Sequence, residues 1–431
     1  MTQMTGGRAV VDLLKAEGVR YIFGIVGSTF LDVLDALYDD KSVEYINVRH
    51  EQAAAFMADG LARVTGSPGV CLVTSGPGAT NLLTGVAAAY VAHSPVVVLV
   101  GGVMLEHYQR DAFQDYDLVG MFRPVTKLAV QVNSPARIGE TLRDALRAAM
   151  TGRRGPVFVE VPRDVLSAPV PAGAPTLVSS YRPTHPIPPH PDAIREAARL
   201  LRQAERPLLL VGGGATWADA NELVVRLAEQ HGIPMITAYG RNDAVPSAHP
   251  LYAGPLGRAG APEAAAACRR ADVLLAVGSR LGHFTTHFDD RYVRPETRLI
   301  QIDVEEKDIG RYYPLALGIQ ADAREACQAL LEALSRDGAA PRRPAWTRGR
   351  SSRSACTPSS AGRCRPRPSS RSMPAPRPPM ATTGCASRGP APSSPRSTSA
   401  GWVSRSPRPS GPSSAGPRRR CWPSTATAAS S

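Results

Sequence analysis

Two short segments combine side chains that can move protons with glycines that let a ligand approach the backbone. Arg49-His50-Glu51-Gln52 stands where an apolar run gives way to an alanine-rich helical pattern. Glu51 has two explanations: a carboxylate in the first helical turn stabilises the helix dipole, or it is a general acid or base. Thr74-Ser75-Gly76-Pro77-Gly78 is a second strand-to-helix turn, whose glycines permit close backbone approach. Taken alone, this turn is equally typical of an ordinary strand-to-helix connection.

Short apolar runs alternate with helical patterns along residues 1–335. This alternation predicts an α/β fold with two doubly wound parallel-sheet domains, each covered by helices on both faces. We assign residues 1–166 to the first domain, residues 167–190 to a Pro-rich linker and residues 191–335 to the second domain. The strands are predicted at residues 21–23, 43–48, 70–74, 95–100, 157–161, 207–211, 234–237, 273–277 and 298–302, and helices of the first domain at residues 30–38, 51–64, 79–90 and 137–150.

Net charge is unevenly distributed along the 431 residues, whose total is +13 at pH 7. Residues 341–431 contain 17 Arg and no Lys, Asp or Glu, which leaves residues 1–340 with a net charge of −4. The larger part of the chain is therefore mildly acidic, as in an ordinary soluble enzyme, and we expect no nucleic-acid partner.

Cysteine usage and apolar runs indicate where the protein works. Cys71, Cys268 and Cys327 are widely separated and lack metal-binding spacing, which indicates a reducing compartment. No apolar leader precedes the first helix, and the most apolar run (residues 96–100) is far shorter than the roughly 20 residues of a membrane span. We therefore expect a cytoplasmic protein without a membrane partner.

Residues 336–431, here called the tail, have no hydrophobic period and are dominated by Ser, Pro, Arg, Ala and Gly. Such a segment buries too little apolar surface to offset its ordering entropy. One interpretation is a disordered basic segment that binds nucleic acid; the other, which we favour, is a shifted reading frame. Read one base out of frame, residues 420–430 can encode Val-Leu-Ala-Ile-Asp-Gly-Asp-Gly-Gly-Phe, and residues 396–407 can encode Leu-Asp-Leu-Gly-Gly-Leu-Gly-Phe-Ala-Phe-Pro.

Several ordered motifs within about residues 5–335 resemble the thiamine diphosphate enzymes, most closely the acetolactate synthases. The resemblance implies decarboxylation of a 2-keto acid such as pyruvate and transfer of its acyl group, with thiamine diphosphate as electron sink. The motifs are Gly24-Ile25-Val26-Gly27, Arg49-His50-Glu51-Gln52, Ser75-Gly76-Pro77-Gly78-Ala79-Thr80-Asn81, Asp111-Ala112-Phe113-Gln114-Asp115, Pro124-Val125-Thr126-Lys127 and Pro162-Arg163-Asp164.

The resemblance also implies a role for individual residues. Glu51 would be the catalytic residue, because in the family this carboxylate hydrogen-bonds N1′ of the cofactor's aminopyrimidine. The family architecture implies a homodimer or homotetramer, with each site shared between two subunits. Other residues of the cofactor site would be Gly27, Pro77 and Asn81, and those facing the substrate across a subunit boundary would be Phe113, Gln114 and Lys127.

The second domain resembles the central domain of the same family, which holds FAD in acetolactate synthases. Gly212, Gly213, Gly278, Arg280 and Asp303 are the residues expected to bind a nucleotide cofactor there. Glycines after a strand are at least as typical of helix packing, so the sequence leaves FAD binding open. Residues 242–257 are more similar to sulfoacetaldehyde acetyltransferases, which provides an alternative substrate class. A non-catalytic nucleotide-binding module is the alternative of another kind.

Members of this family bind Mg²⁺ and the cofactor's diphosphate through a third domain that carries a Gly-Asp-Gly motif and Asn residues further on. These oxygen ligands suit a hard cation. Thr425 and Thr427 stand where the shifted frame would place the aspartates. We therefore expect no metal ligand in this chain and no catalytic activity from this polypeptide alone.

Overall fold

A computed structural model describes residues 4–174 and 181–336. Residues 337–431 of the tail lie outside the described residues, and so does part of the linker, residues 175–180. The shifted reading frame and the linker boundaries therefore stay predictions.

The first domain contains a six-stranded sheet in which every strand pair is parallel. The chain forms a central strand, continues to one side, and then returns to build the other side. This order confirms the predicted doubly wound architecture. The strands are β1 (Tyr21–Gly24), β2 (Glu44–Asn47), β3 (Gly69–Thr74), β4 (Val96–Gly102), β5 (Leu128–Gln131) and β6 (Val157–Pro162), in the order β2-β1-β3-β4-β6-β5.

Helices cover both faces of this sheet because successive side chains of a strand point to opposite faces. On β3, Val70 and Leu72 pack in one core, whereas Cys71 and Val73 pack in the other. On the Val70 side lie α1 (Gly6–Ala16), α2 (Leu31–Asp39) and α6 (Ile138–Met150); on the Cys71 side lie α3 (Glu51–Thr65), α4 (Pro77–Ala92) and α5 (Leu118–Phe122); α7 (Arg163–Ser167) follows β6.

The second domain repeats the arrangement with a second all-parallel sheet of six strands. Its strands are β7 (Pro207–Val211), β8 (Met235–Thr237), β9 (Tyr252–Pro255), β10 (Val273–Val277), β11 (Arg298–Asp303) and β12 (Leu317–Gln320), in the order β12-β11-β10-β7-β8-β9. Its helices are α8 (Pro191–Gln203), α9 (Gly213–Trp217), α10 (Asn221–His231), α11 (Pro262–Arg270), α12 (His283–Thr286) and α13 (Ala323–Arg336).

Three strands were not predicted from the sequence, and all three stand at or beside a sheet edge. The residues of β5 and β9 are half-buried, and β12 buries only Ile319. An edge strand has one strand neighbour and packs less fully, so it does not require the continuous apolar run by which buried strands are recognised.

Charged side chains join the two domains at a buried junction. Arg153 Nη1 donates to Asp308 Oδ2 at 2.6 Å, and the Asp308 side chain is only 2% exposed. Arg154 Nη2 donates to the carbonyl of Trp217, and its guanidinium carbon lies 5.1 Å from the centroid of the Trp217 ring. Asp308 also pairs with Arg311 at 3.2 Å, so its buried carboxylate has two cationic partners, of which Arg153 is the one from the first domain. Within the described part of the chain, no helix is both long and apolar enough to cross a membrane.

Glu160 is a carboxyl group buried within β6. Its side chain is 1% exposed, and Gln131 Nε2 donates to its Oε2 at 3.0 Å. Burial raises the pKa of Glu160 from 4.5 to about 7, and the nearby carboxylates of Asp115 and Asp117 act in the same direction. The folded protein therefore binds this proton more tightly than the unfolded chain does, and the free energy of unfolding should fall as the pH rises from 4.5 towards 7.

We predict that Glu160→Gln makes the protein less sensitive to pH. Glutamine has the same shape, can still accept from Gln131 and carries no charge, so at pH 8 the variant should be more stable by up to roughly 3 kcal/mol. Urea unfolding of both proteins at about pH 5 and pH 8 measures this difference. The exposed Glu44→Gln serves as control. A Glu160→Gln variant that loses stability at pH 8 would contradict the prediction.

Candidate functional site

The carboxyl ends of β1 and β3 mark the point where the first sheet reverses its strand order. Because β2 lies beyond β1 and β4 lies beyond β3, the loops after these two central strands diverge and leave a crevice. Gly27 lines this point, since a Cβ atom added to it would lie 2.6 Å from Cβ of Thr74. Hydroxyl oxygens of Thr29 and Thr74 lie 3.0 Å apart across it. The crevice is where parallel sheets of this kind bind ligands.

Glu51 begins α3 at this edge and is held by a neighbouring helix. His50 caps the helix, its Nδ1 accepting from the backbone N–H of Gln52 at 3.1 Å. Asn81 Nδ2, from α4, donates to Glu51 Oε2 at 2.9 Å. The structure therefore brings together two predicted site residues that stand 30 positions apart in the sequence.

Close packing of α3 against α4 makes this hydrogen bond possible. A Cβ atom added at Gly85 of α4 would lie 2.5 Å from Cβ of Ala55 on α3, so any side chain there would force the helices apart. Ala55 is fully buried. Small residues at this crossing thus set the distance between the Glu51 carboxylate and the Asn81 amide.

The turn after β3 forms the opposite wall of the crevice. Gly76 has φ 63° and ψ −124°, a conformation that side-chain-bearing residues rarely adopt. Its Cα faces Gln114, whose Cβ would lie 2.8 Å from an added Cβ. Thr74 Oγ1 donates to Gln114 Oε1 at 3.4 Å. Gln114 therefore joins the crevice within the same chain, and Pro77 begins α4 directly after the turn.

Two features of this edge fit an aminopyrimidine ligand. A Cβ atom added at Gly78 would lie 3.8 Å from Glu51 Oε1, so the carboxylate faces an open glycine wall. Ser75 is 1% exposed, and its Oγ has no hydrogen-bond partner within residues 4–174 and 181–336. A buried hydroxyl without a partner is uncommon in folded proteins. The edge thus combines a carboxylate acceptor, an amide and a buried hydroxyl.

Phe113 and its neighbours form a strained, exposed loop after β4. Phe113 is 87% exposed, which is unusual for so large an apolar side chain. Gln109, Asp111 and Gln114 have φ values of 59°, 60° and 65°, in the left-handed region that non-glycine residues seldom occupy. Such conformations persist only where surrounding contacts enforce them. The loop therefore holds the Phe113 ring at the surface, where it can contact another molecule.

Lys127 lies directly before β5, an edge strand of the first sheet, and thus at the amino end of that strand. Within one chain, the structure does not bring Lys127 to Glu51. Its Nζ donates to the carbonyl of Thr151 at 2.9 Å. Burial, and then the charge of Arg153, lower the pKa of Lys127 to about 8. Its predicted approach to a substrate of another subunit stays a prediction.

A cavity of 1390 Å³ separates the two domains and takes in the second strand-order reversal, between β7 and β10. Four of the five residues expected to bind a nucleotide cofactor line it: Gly213, Gly278, Arg280 and Asp303. Gly212 does not line it. A Cβ atom at Gly212 would lie 2.2 Å from the carbonyl oxygen of Gly278, so this glycine serves the packing of two turns.

The cavity is rich in basic side chains, several of which the sequence analysis missed. Arg153 and Arg154 reach it from the first domain, and Arg241 reaches it from the loop after β8. Burial, reinforced by Arg280 and Arg153, lowers the pKa of His93 to about 4, so this histidine is neutral at pH 7. No local sequence pattern predicts that these residues line a cavity, because the cavity exists only where the two domains pack together.

Acidic groups in the cavity are few and deeply placed. Asp303 ends β11, and burial raises the pKa of its carboxyl to about 6. Its Oδ1 accepts from the backbone N–H of Glu305 at 3.0 Å. Among residues 4–174 and 181–336, no three His, Cys, Asp or Glu side chains come close enough together to hold a metal ion.

Comparison with known proteins identifies both domains. The family described as thiamine pyrophosphate enzyme, N-terminal TPP binding domain, matches residues 4–121, and its central domain matches residues 194–330. The probable acetolactate synthase large subunit of Methanocaldococcus jannaschii is 42% identical over 336 residues, which are 77% of this chain and 56% of the relative. The large subunit of Haemophilus influenzae is 38% identical over 342 residues, 78% of this chain and 59% of the relative.

The acetolactate synthase isozyme 3 large subunit of Escherichia coli is 39% identical over 343 residues, 79% of this chain and 59% of the relative. The chain thus spans somewhat more than half the length of these curated relatives. Both described domains match, in the order expected, and the Glu51–Asn81 pair lies within the N-terminal match. The chain belongs to the thiamine pyrophosphate enzyme family.

Proposed function

We propose that this chain supplies the pyrimidine-binding and central domains of an acetolactate synthase-type enzyme. The observation that carries the proposal is the Glu51 carboxylate, held by Asn81 at 2.9 Å on the crevice edge of the first sheet. The names of the relatives support a 2-keto acid such as pyruvate as substrate. Bound thiamine diphosphate would supply the electron sink for decarboxylation and acyl transfer.

Within this proposal, Glu51 holds a proton at N1′ of the aminopyrimidine. Asn81 donates to one carboxylate oxygen and thereby leaves the other, which faces Gly78, for that ring nitrogen. Gly27 and Pro77 shape the walls. Gln114 lies beside the turn of Gly76 and would contact the substrate. A positioned proton-transfer group contributes on the order of 10²–10⁴-fold to the rate.

A homodimer or homotetramer would complete the site. Large apolar side chains are exposed on α3 and α4 and at Phe113. Exposed apolar side chains of this size are common in protein contacts. The side chains on the two helices are Phe56, Met57, Val64, Tyr90 and Val91. Mg²⁺ would be bound through ligands beyond the two described domains.

The interdomain cavity would bind a nucleotide cofactor of the FAD or ADP type. Arg280 makes no hydrogen bond or ion pair with any described residue, and Asp303, at the end of β11, lines the same cavity. If purified protein holds ADP or FAD but no thiamine diphosphate, the alternative of a non-catalytic nucleotide-binding module is favoured. The three cysteines of the described domains are free and buried, which supports a reducing compartment such as the cytoplasm.

We predict that the tail is translated out of frame. The coding DNA, read one base away from the printed frame, should encode a Gly-Asp-Gly motif followed by Asn residues. The frame-corrected protein should then form acetolactate from pyruvate, and both thiamine diphosphate and Mg²⁺ should be required. The printed chain, with no carboxylate in residues 341–431, should be inactive. Acetolactate formation by the purified chain of 431 residues would contradict the prediction of inactivity. Absence of the Gly-Asp-Gly motif from all three reading frames would contradict the frameshift.

The same assay separates the two substrate classes. Residues 242–257 are similar to sulfoacetaldehyde acetyltransferases, so the frame-corrected protein should also be given sulfoacetaldehyde in place of pyruvate. Turnover of sulfoacetaldehyde without turnover of pyruvate would select the alternative. Turnover of neither compound, with cofactor and metal bound, would overturn both.

We predict that Glu51→Gln lowers kcat of the frame-corrected enzyme by about 10²–10⁴-fold. Glutamine accepts from Asn81 as the carboxylate does, but it cannot exchange a proton with N1′. The exposed Glu44→Gln on β2 carries the same chemical change away from the crevice and should leave kcat within twofold, roughly experimental error. If Glu51→Gln retains wild-type kcat, the catalytic role of this carboxylate is wrong.

A further inference from the structure

We propose that Thr29 and Thr74 are positioning residues that orient the side-chain amide of Gln114 towards the substrate. This inference rests on the proposed function, and it gives two hydroxyl groups a role that neither the sequence motifs nor the comparisons assign. The three side chains come from the turn after β1, the end of β3 and the loop after β4. They form one chain of hydrogen bonds in the crevice of the first sheet.

Thr74 ends β3, and its side chain lies between two glycine turns. A Cβ atom added at Gly27 would lie 3.2 Å from Thr74 Oγ1, and one added at Gly78 would lie 2.8 Å from Thr74 Cγ2. The atom added at Gly78 would also lie 3.8 Å from Glu51 Oε1. The Thr74 side chain thus lies in the same part of the crevice as the Glu51 carboxylate.

The number of hydrogens fixes the direction of the hydrogen bonds, because a hydroxyl group has only one hydrogen to donate. Thr74 Oγ1 donates to Gln114 Oε1 at 3.4 Å. The contact of 3.0 Å between the two threonine hydroxyls must therefore run from Thr29 to Thr74. Thr29 thereby keeps the Thr74 hydrogen directed at Gln114. Hydrogen bonds in such a chain polarise and strengthen one another.

Thr29 is held in place by the backbone of β4. A Cβ atom added at Gly101, in β4, would lie 2.6 Å from Thr29 Oγ1 and 2.7 Å from the Thr29 carbonyl oxygen. A β-branched side chain already has few allowed χ1 rotamers, and this close contact restricts Thr29 further. The first donor of the chain therefore has a position that is set by backbone packing.

The direction of the chain decides which donors Gln114 has left for a ligand. Gln114 packs across the turn of Gly76, where an added Cβ atom would lie 2.8 Å from Gln114 Cβ and 3.1 Å from its Cγ. Because Thr74 binds the amide oxygen, the two amide hydrogens point away from Thr74. Within residues 4–174 and 181–336 they have no acceptor. They suit an anionic group of the substrate, which only accepts hydrogen bonds.

The hydrogen bond to Gln114 is the weaker of the two. Its length of 3.4 Å exceeds the usual O–H···O distance of roughly 2.7–2.8 Å. Gln114 has φ 65°, so the loop needs contacts of this kind to hold it. Hydrogen bonds at active sites often shorten when the substrate binds. Loss of the Thr74 hydroxyl should therefore weaken substrate binding more than it slows the chemical step.

Kinetics of the frame-corrected enzyme separate positioning from a general structural role. Thr74→Val removes the hydroxyl with little change of shape, and we expect it to raise KM for the substrate by about 3- to 10-fold. The value of kcat and the affinity for thiamine diphosphate should change less than about twofold. Thr74→Ser keeps the hydroxyl and should return KM towards the wild-type value. Thr65→Val makes the same change at the exposed end of α3 and should leave KM unchanged.

Two further measurements test the chain itself. Thr29→Val removes the first donor without touching Gln114, and it should also raise KM. The variant with both valines should be no worse than Thr74→Val alone, because the two hydroxyls act through one chain. In the 431-residue chain, backbone hydrogen exchange at residues 108–117 should be faster in Thr74→Val than in wild type, since Gln114 is released. The exchange measurement requires no catalytic activity.

The outcomes distinguish this inference from the proposed function. A wild-type KM in Thr74→Val, or wild-type hydrogen exchange, overturns the positioning role. Equal losses of affinity for substrate and for thiamine diphosphate also overturn it, because the hydroxyl would then shape the whole crevice. If the wild-type frame-corrected enzyme turns over neither pyruvate nor sulfoacetaldehyde, the proposed function fails, and hydrogen exchange alone decides whether the hydroxyls hold Gln114. Should Thr74→Val fail to fold, Thr29→Val carries the test.

Discussion

Both candidate sites depend on one constraint, the reversal of strand order in a parallel sheet. Once the chain has built one side of the sheet and returned to build the other, two adjacent strands send their loops in opposite directions, and a crevice opens between them. In the first sheet this point separates β1 from β3, and in the second it separates β7 from β10. Gly27 and Gly76 flank the first crevice, while Gly213 and Gly278 flank the second.

The glycines at these points have two different tasks. Gly76 and Gly278 occupy backbone conformations with φ of 63° and 59° that let a turn reverse tightly. Gly212, in contrast, allows two turns to touch, because a Cβ atom there would lie 2.2 Å from a carbonyl oxygen. Ligand approach and close packing both select glycine, so the residue type alone does not tell them apart. The surrounding atoms do.

The second site also depends on how the domains meet. Arg153 crosses to the buried carboxylate of Asp308, and Arg154 crosses to Trp217. These charge-assisted contacts are directional, so they set the relative position of two sheets that share no strand. The cavity between the domains is a consequence of that position. Its basic character comes from residues of both domains, which explains why an acidic body of the chain encloses a positively charged cavity.

Much of the architecture was predictable from the sequence. Buried strands such as β4, with seven consecutive buried residues, have the continuous apolar runs of a sheet covered on both faces. Strands β5, β9 and β12 were missed because their edge positions relax that requirement. Glu51, Gly27, Pro77 and Asn81 were found as parts of ordered motifs, each directly after a strand or in the first turns of a helix. Lys127 belonged to the same series, yet it lies at the other edge of the sheet.

The sequence by itself determined the alternation of strands and helices, the residue types at each strand end and the concentration of positive charge in the tail. These are local properties, fixed by hydrophobic periodicity and composition. Only the tertiary structure decided which strand ends meet. It placed the Asn81 amide on the Glu51 carboxylate across the Gly85 contact, and it turned the unpaired Nε of Arg241 towards Gly213. Those distances follow from strand order and helix packing, which bring together residues that no local pattern connects.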